Sequence, residues 1–266
     1  METKIINGKE IADLVKRRVQ KELATLPRLS LAVLMVGDNP VSERYVQVKA
    51  RLGEELGVDV RVYQYEESIE VEELKAEIEK ISINKEIDGL ILQLPLPPLF
   101  PTDDILSIIP SHKDVDALSL DPLVLSPVVG SVEEIINLAG VKLDGLSATV
   151  VGRGRLVGRP VAVWLASKGV NVSQVLSVEN EKDKLKMADL VVTGVGKPNI
   201  IKPDYLKSGV VLIDAATSED GGRLRGDADP ACALVASVFT PVPGGVGPIT
   251  LVKLFDNLVQ LAKRHH

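Results

Sequence analysis

Residues 147–160, SATVVGRGRLVGRP, decide the fold of this chain. A run of β-favouring residues leads into the turn GRGRLVG (152–158), and an apolar helical pattern follows. This order is typical of a dinucleotide site, because glycines let backbone N–H groups approach a pyrophosphate and the helix N-terminus supplies partial positive charge. The spacing is one residue longer than the common fingerprint, so a turn between strand and helix that binds no ligand stays an alternative.

The pattern on both sides of this stretch alternates between helical and extended segments. Predicted helices cover residues 9–24, 41–56, 70–83, 103–109, 131–139, 159–168 and 181–187. Predicted strands cover residues 29–36, 58–65, 88–94, 147–151, 171–176, 189–194 and 209–214. The stripe Leu251, Leu254, Leu258 and Leu261 predicts a last helix. Such alternation indicates an α/β fold with parallel sheets covered by helices.

The chain of 266 residues has room for two α/β lobes. The pattern loses its period after the proline-rich turn at 95–102, and we place the domain junction in the region that follows. The prediction is a first lobe of residues 1–117 completed by the C-terminal helix 247–266, and a Rossmann-type second lobe of residues 118–246. A substrate cleft is expected between them.

Composition excludes several classes of function. The net charge of −6 and the lack of a basic block with interleaved aromatic residues argue against nucleic acid. A single cysteine, Cys232, allows no intramolecular disulfide and no cysteine-based zinc site, and the three histidines (His112, His265 and His266) leave little for a metal. The charged N-terminus and the short apolar runs predict a protein of the reducing cytoplasm that does not span a membrane.

The residues around the glycine-rich turn bear on the choice of dinucleotide. Arg153 and Arg155 stand in the turn, and Ser177 follows the next predicted strand. Two guanidinium groups and a hydroxyl suit a 2′-phosphate, which favours NADP. Glu179 is close enough in sequence to bind a ribose diol instead, so NAD stays possible.

A second constellation lies in the first lobe. Tyr45 and Lys49 are four residues apart on a predicted helix, whose apolar stripe is taken as Val41, Tyr45, Val48, Leu52 and Leu56. This stripe places Lys49 at the margin of the apolar face, where loss of solvation would lower its pKa toward a value useful for proton transfer. Short-chain dehydrogenases share the Tyr-x-x-x-Lys pair, but there the pair follows the glycine turn, whereas here it precedes the turn by over a hundred residues.

Two further polar groups are candidates for the same site. Gln93 lies near the carboxyl end of the apolar stretch DGLILQL, where parallel sheets bind ligands. Asp114 and Asp116 flank the domain junction, where a carboxylate can accept the N–H donors of a pterin-like ring.

Five motifs together carry a resemblance to a known family. They are SERYVQVK (42–49), DGLILQLPLP (88–97), KDVD (113–116), GRGRLVGRP (152–160) and FTPVPGGVGPIT (239–250). In order and over nearly the whole chain, they resemble the bifunctional methylenetetrahydrofolate dehydrogenase/cyclohydrolase family. The resemblance implies oxidation of 5,10-methylenetetrahydrofolate with NADP and hydrolysis of the methenyl product to 10-formyltetrahydrofolate, in one-carbon metabolism and purine biosynthesis. It also implies a homodimer formed through the cofactor lobe.

The resemblance assigns roles residue by residue. The catalytic set is Lys49, Tyr45, Gln93 and Asp116, with Lys49 as acid/base tuned by Gln93, Tyr45 stacked on the folate and Asp116 bound to the pterin. Folate binding would also involve Pro243, Gly244 and Gly247. The cofactor side would be lined by Gly152, Arg153, Gly154, Gly158, Ser177 and Thr250.

The sequence departs from the family pattern at several places. Ala117 stands where the family has glycine, so the loop beside Asp116 is expected to take a different path if that position needs a positive φ. The connector 118–130 is short, Asp214 is followed by two alanines, and Leu176 replaces a frequent histidine. These changes keep two alternatives open: another NAD(P)-dependent dehydrogenase, or a catalytically weakened regulator that binds folate or nucleotide.

Overall fold

The computed structural model describes residues 2–220 and 223–264. His265 and His266, whose origin and role the sequence leaves open, lie outside the described residues. None of the described helices is long and apolar enough to cross a membrane.

Strands and helices alternate along the chain, as predicted. The strands are β1 (Lys4–Ile5), β2 (Ser30–Val36), β3 (Asp59–Tyr65), β4 (Gly89–Leu92), β5 (Ser147–Val151), β6 (Asn171–Val175), β7 (Leu190–Thr193), β8 (Val210–Asp214), β9 (Ser218–Asp220), β10 (Arg223–Arg225) and β11 (Ala236–Phe239). The helices are α1 (Gly8–Leu23), α2 (Pro40–Leu56), α3 (Val71–Ile83), α4 (Thr102–Ser107), α5 (Pro127–Ala139), α6 (Gly158–Ser167), α7 (Lys182–Met187) and α8 (Val246–Ala262).

The chain divides into two compact units whose bounds differ from the predicted lobes. Unit 1 comprises residues 1–14 and 128–250, and unit 2 comprises residues 15–127 and 251–266. The N-terminal segment belongs to unit 1 because β1 pairs in parallel with β11, with Lys4 opposite Val238. A strand of two residues is too short to show a period, which is why the sequence pattern misses it.

Unit 2 is built on a three-stranded parallel sheet in the order β3-β2-β4. Its central strand β2 is buried at all seven positions. An uninterrupted apolar strand of this kind is expected where helices cover both faces of a parallel sheet. The sheet therefore presents the carboxyl end of β4, and Gln93 directly after it, on one edge.

Unit 1 contains a six-stranded sheet in the order β1-β11-β8-β7-β5-β6, and all its pairings are parallel. A short antiparallel pair, β9 and β10, lies outside it. The predicted α/β class with parallel sheets is thereby confirmed, whereas β1, β9, β10 and β11 are additions to the predicted elements. In this sheet β5 lies between the edge strand β6 and β7, so the glycine-rich turn that follows β5 opens at the carboxyl edge of the sheet, one strand in from its end.

Candidate active site

Helix α2 buries a different face from the one predicted. The positions turned inward are Ser42, Val46, Lys49, Gly53 and Leu56. Val41, Tyr45 and Val48 of the predicted stripe are 48%, 39% and 37% exposed. Gly53 explains the rotation, because a Cβ atom there would lie 2.2 Å from Cγ2 of Val60, so the glycine side of the helix packs closely on β3. The prediction that Lys49 lies at the margin is wrong, since Lys49 lies within the buried face.

The buried amine of Lys49 has a specific partner. Lys49 Nζ donates a hydrogen bond of 2.8 Å to Oε1 of Gln93, and only 7% of Lys49 is exposed. Gln93 is itself fixed, since its Nε2 donates to the carbonyl of Leu94 and its backbone N–H donates to Leu34. The amide therefore cannot rotate freely, and its oxygen determines where the lysine amine lies.

Burial shifts the protonation of Lys49 and Asp116 in ways suited to proton transfer. Desolvation lowers the pKa of Lys49, and the negative charge of Asp116 opposes part of that shift. Desolvation also raises the pKa of Asp116 to about 6, with Lys49 opposing the rise and Asp114 adding to it. We call Lys49, Gln93 and Asp116 the amine cluster. It holds an amine whose neutral form is more accessible than in water, beside a carboxyl group that titrates near neutral pH.

Two residues outside the predicted catalytic set hold the Asp116 loop. Asp114 Oδ2 accepts a hydrogen bond of 2.6 Å from the backbone N–H of Ser119 and so closes the turn. Asn257 on α8 donates through Nδ2 to the carbonyls of Val115 and Leu125, each at 2.8 Å. Asn257 is not among the residues predicted from the sequence. Its signal is an amide between Leu254 and Leu258 in the apolar stripe, where a buried polar group needs partners.

Ala117 keeps the backbone conformation that favours glycine. Its φ is 56°, so the loop follows a left-handed path with alanine in place. The expected alternative path beside Asp116 is therefore not taken. An alanine in this region costs about 1–2 kcal/mol, and the hydrogen bonds around Asp114 hold it there.

The remaining candidates divide between the two units. Tyr45 lies one helical turn before Lys49 in unit 2, with its ring partly exposed. Pro243, Gly244 and Gly247 belong to unit 1, and the Val242–Pro243 peptide bond is cis. Thr250 is the last residue of unit 1. Its hydroxyl oxygen lies 3.1 Å from that of Ser131, and the hydroxyl donates a hydrogen bond to the carbonyl of Val246.

The glycines of the turn 152–158 serve three different needs. Gly152 has a φ of 96°, which only glycine adopts readily. A Cβ on Gly158 would lie 2.3 Å from the carbonyl oxygen of Gly152, so glycine is needed for α6 to begin against the turn. A Cβ on Gly154 would meet nothing within 4 Å. The turn therefore exposes bare backbone at Gly154, beside the N-terminus of α6, as a pyrophosphate requires.

The predicted cofactor side chains surround this turn or follow β6. Arg153 is exposed and Arg155 is partly buried, while Ser177 is partly buried beyond the end of β6. Glu181, which the sequence analysis missed, accepts a hydrogen bond of 3.1 Å from the backbone N–H of Leu176 and pairs with Lys184. Glu181 thereby fixes the loop that presents Ser177, whereas Glu179 was the carboxylate considered from sequence.

Comparison with known proteins gives a consistent result over the whole chain. Residues 6–116 match the family model of the tetrahydrofolate dehydrogenase/cyclohydrolase catalytic domain, and residues 127–266 match that of its NAD(P)-binding domain. The bifunctional protein FolD of Nitratiruptor sp. is 34% identical over 98% of this chain and 98% of its own.

Solved structures give the same picture. The bifunctional enzyme FolD from Campylobacter jejuni has a TM-score of 0.95 at 32% identity, covering 99% of this chain and 100% of that one. The Trypanosoma brucei enzyme, solved with NADP and an inhibitor, has a TM-score of 0.93 at 28% identity, covering 100% of this chain and 99% of that one.

Proposed function

Because the chain belongs to the tetrahydrofolate dehydrogenase/cyclohydrolase family, we propose that unit 2 carries the acid/base chemistry on the folate and that unit 1 binds the dinucleotide. The protein oxidises 5,10-methylenetetrahydrofolate with NADP and hydrolyses the methenyl product to 10-formyltetrahydrofolate. The observation that carries the assignment of roles is the hydrogen bond between the buried Lys49 amine and Gln93, beside Asp116.

The hydrolytic step requires proton movement, which we assign to Lys49. Water adds to the carbon of the methenyl cation and loses one proton. The hydroxyl group so formed then loses its own proton to become the formyl carbonyl, while the bond from this carbon to N5 breaks and N5 takes up a proton. One proton is released in the net reaction. A lysine with a lowered pKa can accept the first proton and return it to nitrogen, and Gln93 keeps the amine in one position throughout.

The oxidation step makes smaller demands on the protein. When bound, NADP accepts the hydride, and the two folate nitrogens stabilise the resulting cation. The protein therefore needs to position the folate rather than supply a strong base. We assign that task to Tyr45 as a stacking surface, to Asp116 as acceptor of pterin N–H groups, and to Pro243, Gly244 and Gly247 as a wall.

The dinucleotide is assigned to the glycine turn and its surroundings. The exposed backbone at Gly154 and the N-terminus of α6 suit the pyrophosphate. Gly152 and Gly158 shape the turn, and the backbone N–H of Gly152 donates to the carbonyl of Val175. Arg153 and Ser177 suit the 2′-phosphate that distinguishes NADP from NAD. Thr250 completes the proposed set, with its hydroxyl already partnered by Ser131 and Val246.

Replacement of Gln93 tests the assignment of the amine cluster. We expect Gln93→Leu to lower the cyclohydrolase kcat about tenfold to a hundredfold, because the amine loses the acceptor that orients it. The matched control is Gln64→Leu, which removes an exposed amide from β3 and should change the rate less than about twofold. Equal rates in the Gln93 variant and the wild type, with methenyltetrahydrofolate as substrate, would remove Gln93 from the mechanism.

The assembly and the location in the cell are separate proposals. We propose a homodimer formed through unit 1, supported by the family resemblance and by β6 as an edge strand of the sheet. Sedimentation velocity should give twice the mass of one chain, and the mass of a single chain would contradict it. We also propose a cytoplasmic location, which cell fractionation against marker enzymes tests.

A further inference from the structure

Asp227 is a buried carboxylate with three donors from a single loop. It is 0% exposed. Its Oδ2 accepts hydrogen bonds from the hydroxyl of Thr193 at 2.5 Å and from the backbone N–H of Val195 at 2.7 Å. Its Oδ1 accepts from the backbone N–H of Lys197 at 2.8 Å. One side chain therefore fixes three positions between residues 193 and 197.

That loop lies directly against the glycine turn. Thr193 ends β7 and is the register partner of Val151, the last residue of β5. A Cβ on Gly194 would lie 2.4 Å from Val157 Cγ1, and a Cβ on Gly152 would lie 3.1 Å from Val195 Cγ2. Residues 193–197 therefore form the side of the turn that faces away from β6, at the carboxyl edge of the sheet.

The segment that carries Asp227 is anchored independently of this loop. The backbone N–H of Ala228 donates to Asp214 Oδ2 at 2.8 Å. The backbone N–H of Asp229 donates to the carbonyl of Ile201 at 2.9 Å, and Ile201 N–H donates to the carbonyl of Asp227 at 3.0 Å. Asp227 therefore lies in a segment that is held by its own hydrogen bonds, and its carboxylate holds the glycine-containing stretch Gly194-Val195-Gly196 by further hydrogen bonds.

We propose that Asp227 is a positioning residue for the oxidation step, holding residues 193–197 as the wall on the nicotinamide side of the dinucleotide. In a parallel sheet of this kind the dinucleotide crosses the carboxyl edge where the strand order reverses, with its two halves over opposite neighbours of the first strand. The 2′-phosphate is assigned to the β6 side, so the β7 side receives the nicotinamide half. The inference rests on the proposed cofactor role of the glycine turn.

A carboxylate suits this position better than any amide. Both of its oxygens accept, and two of the three donors are backbone N–H groups, which cannot turn round to accept a hydrogen bond. In Asp227→Asn one oxygen becomes an NH₂ group, which must face a donor. At least one of the three bonds is then lost, and the loop backbone shifts. A displacement of about 1 Å at a reacting group costs about a hundredfold in rate.

The test compares Asp227→Asn with Asp229→Asn. Asp229 lies two residues later and loses the same charge, but its carboxylate accepts from Ala231 N–H and pairs with Lys202, away from the loop. Dehydrogenase kcat and KM for NADP are measured together with cyclohydrolase activity on methenyltetrahydrofolate without NADP. We expect Asp227→Asn to lower dehydrogenase kcat/KM for NADP about tenfold to a hundredfold and to change cyclohydrolase less than about twofold. Asp229→Asn should leave both activities within about twofold.

Thr193→Val provides a milder variant should Asp227→Asn not fold. It removes only the hydroxyl donor and should lower kcat/KM for NADP severalfold with cyclohydrolase unchanged. Unchanged dehydrogenase activity in the folded variants would overturn the proposal. An equal fall in both activities would also overturn it, because it would show a structural role alone.

Gly154→Ala separates this inference from the cofactor assignment. If that variant leaves the KM for NADP unchanged, the glycine turn does not bind the dinucleotide and both claims fail. If Gly154→Ala raises this KM while Asp227→Asn leaves the dehydrogenase kcat/KM for NADP unchanged, only the role of Asp227 fails.

Discussion

The amine cluster of unit 2 and the glycine turn of unit 1 prepare the protein for chemistry in opposite ways. The cluster buries a lysine amine and sets its direction with the oxygen of Gln93. The turn leaves backbone exposed and omits the side chain at Gly154. In the function we propose, the cluster acts through an amine removed from water, and the turn acts through backbone kept open to a ligand.

Because of this contrast, we expect the two activities to respond to different kinds of amino-acid substitution. The cluster should be sensitive to loss of a charge or an acceptor, even where the volume of the side chain is kept. The turn should be sensitive to a single added methyl group. Variants of each site therefore separate cyclohydrolase from dehydrogenase activity.

The largest effect is expected for Lys49→Met. The substitution keeps an unbranched side chain in the buried face of α2 and removes the amine, so the cyclohydrolase rate should fall about 10³-fold or more while the fold is retained. Arg51→Met, an exposed cation on the same helix, is the control and should leave the rate within about twofold. Hydrolysis of methenyltetrahydrofolate at the wild-type rate by the folded Lys49 variant would refute its role.

Two glycine variants test whether the glycine turn binds the dinucleotide or is only a structural element. Gly154→Ala should raise the KM for NADP about tenfold or more with an unchanged melting temperature, because its Cβ meets only the space assigned to the pyrophosphate. Gly158→Ala should lower the melting temperature, because its Cβ would lie 2.3 Å from a backbone oxygen. Thermal melts and NADP titrations check both, and similar behaviour of the two variants would show that the turn is only a structural element.

The pH profile of the cyclohydrolase tests the electrostatic interaction between Asp116 and Lys49. Burial holds the pKa of Asp116 at about 6, so activity should fall below pH about 6 as this carboxyl takes up a proton. Asp116→Asn should lose that acidic limb. The charge of Asp116 raises the pKa of Lys49, so its removal should also move the limb that belongs to Lys49 toward lower pH. Superimposable profiles of the two proteins would show that the groups do not interact.

The smallest effect is expected for Ala117→Gly. Glycine adopts the φ of 56° without strain. The strain relieved in the folded state exceeds the free-energy cost of the added conformational entropy in the unfolded chain, so the free energy of unfolding should rise by about 0.5–1 kcal/mol. Urea denaturation measures it. A lower free energy of unfolding in the variant would show that alanine is not strained at this position.

The fold was largely predictable because its signals are local and repeated. The apolar run of β2 and the strand-turn-helix order around Gly152 belong to an alternation of strands and helices that favours a parallel α/β arrangement. β1 and β11 were not predictable in this way. They are short, and they pair across more than two hundred residues of sequence, so no local period marks them.

The sequence indicated which residues of the proposed site come together, but not how they pack. The motifs identified Lys49, Gln93 and Asp116, yet the apolar stripe of α2 placed Lys49 at the margin of the helix. Hydrophobicity alone could not show that the face of α2 containing Gly53 packs on β3, or that an amide directly after β4 is the hydrogen-bond partner of a buried amine. Asn257 and Asp227 form hydrogen bonds with backbone groups that are far away in sequence, and no motif around either residue indicates such contacts.

NMR titration of the Lys49 amine measures whether burial disfavours the charged form of this side chain. Protein with isotope-labelled lysine side chains, assigned by comparison with Lys49→Met, gives the midpoint for this single group. We expect a pKa below 10.5, because burial disfavours the charged amine, and a still lower value in Asp116→Asn. A midpoint at or above 10.5 in the wild-type protein would contradict it.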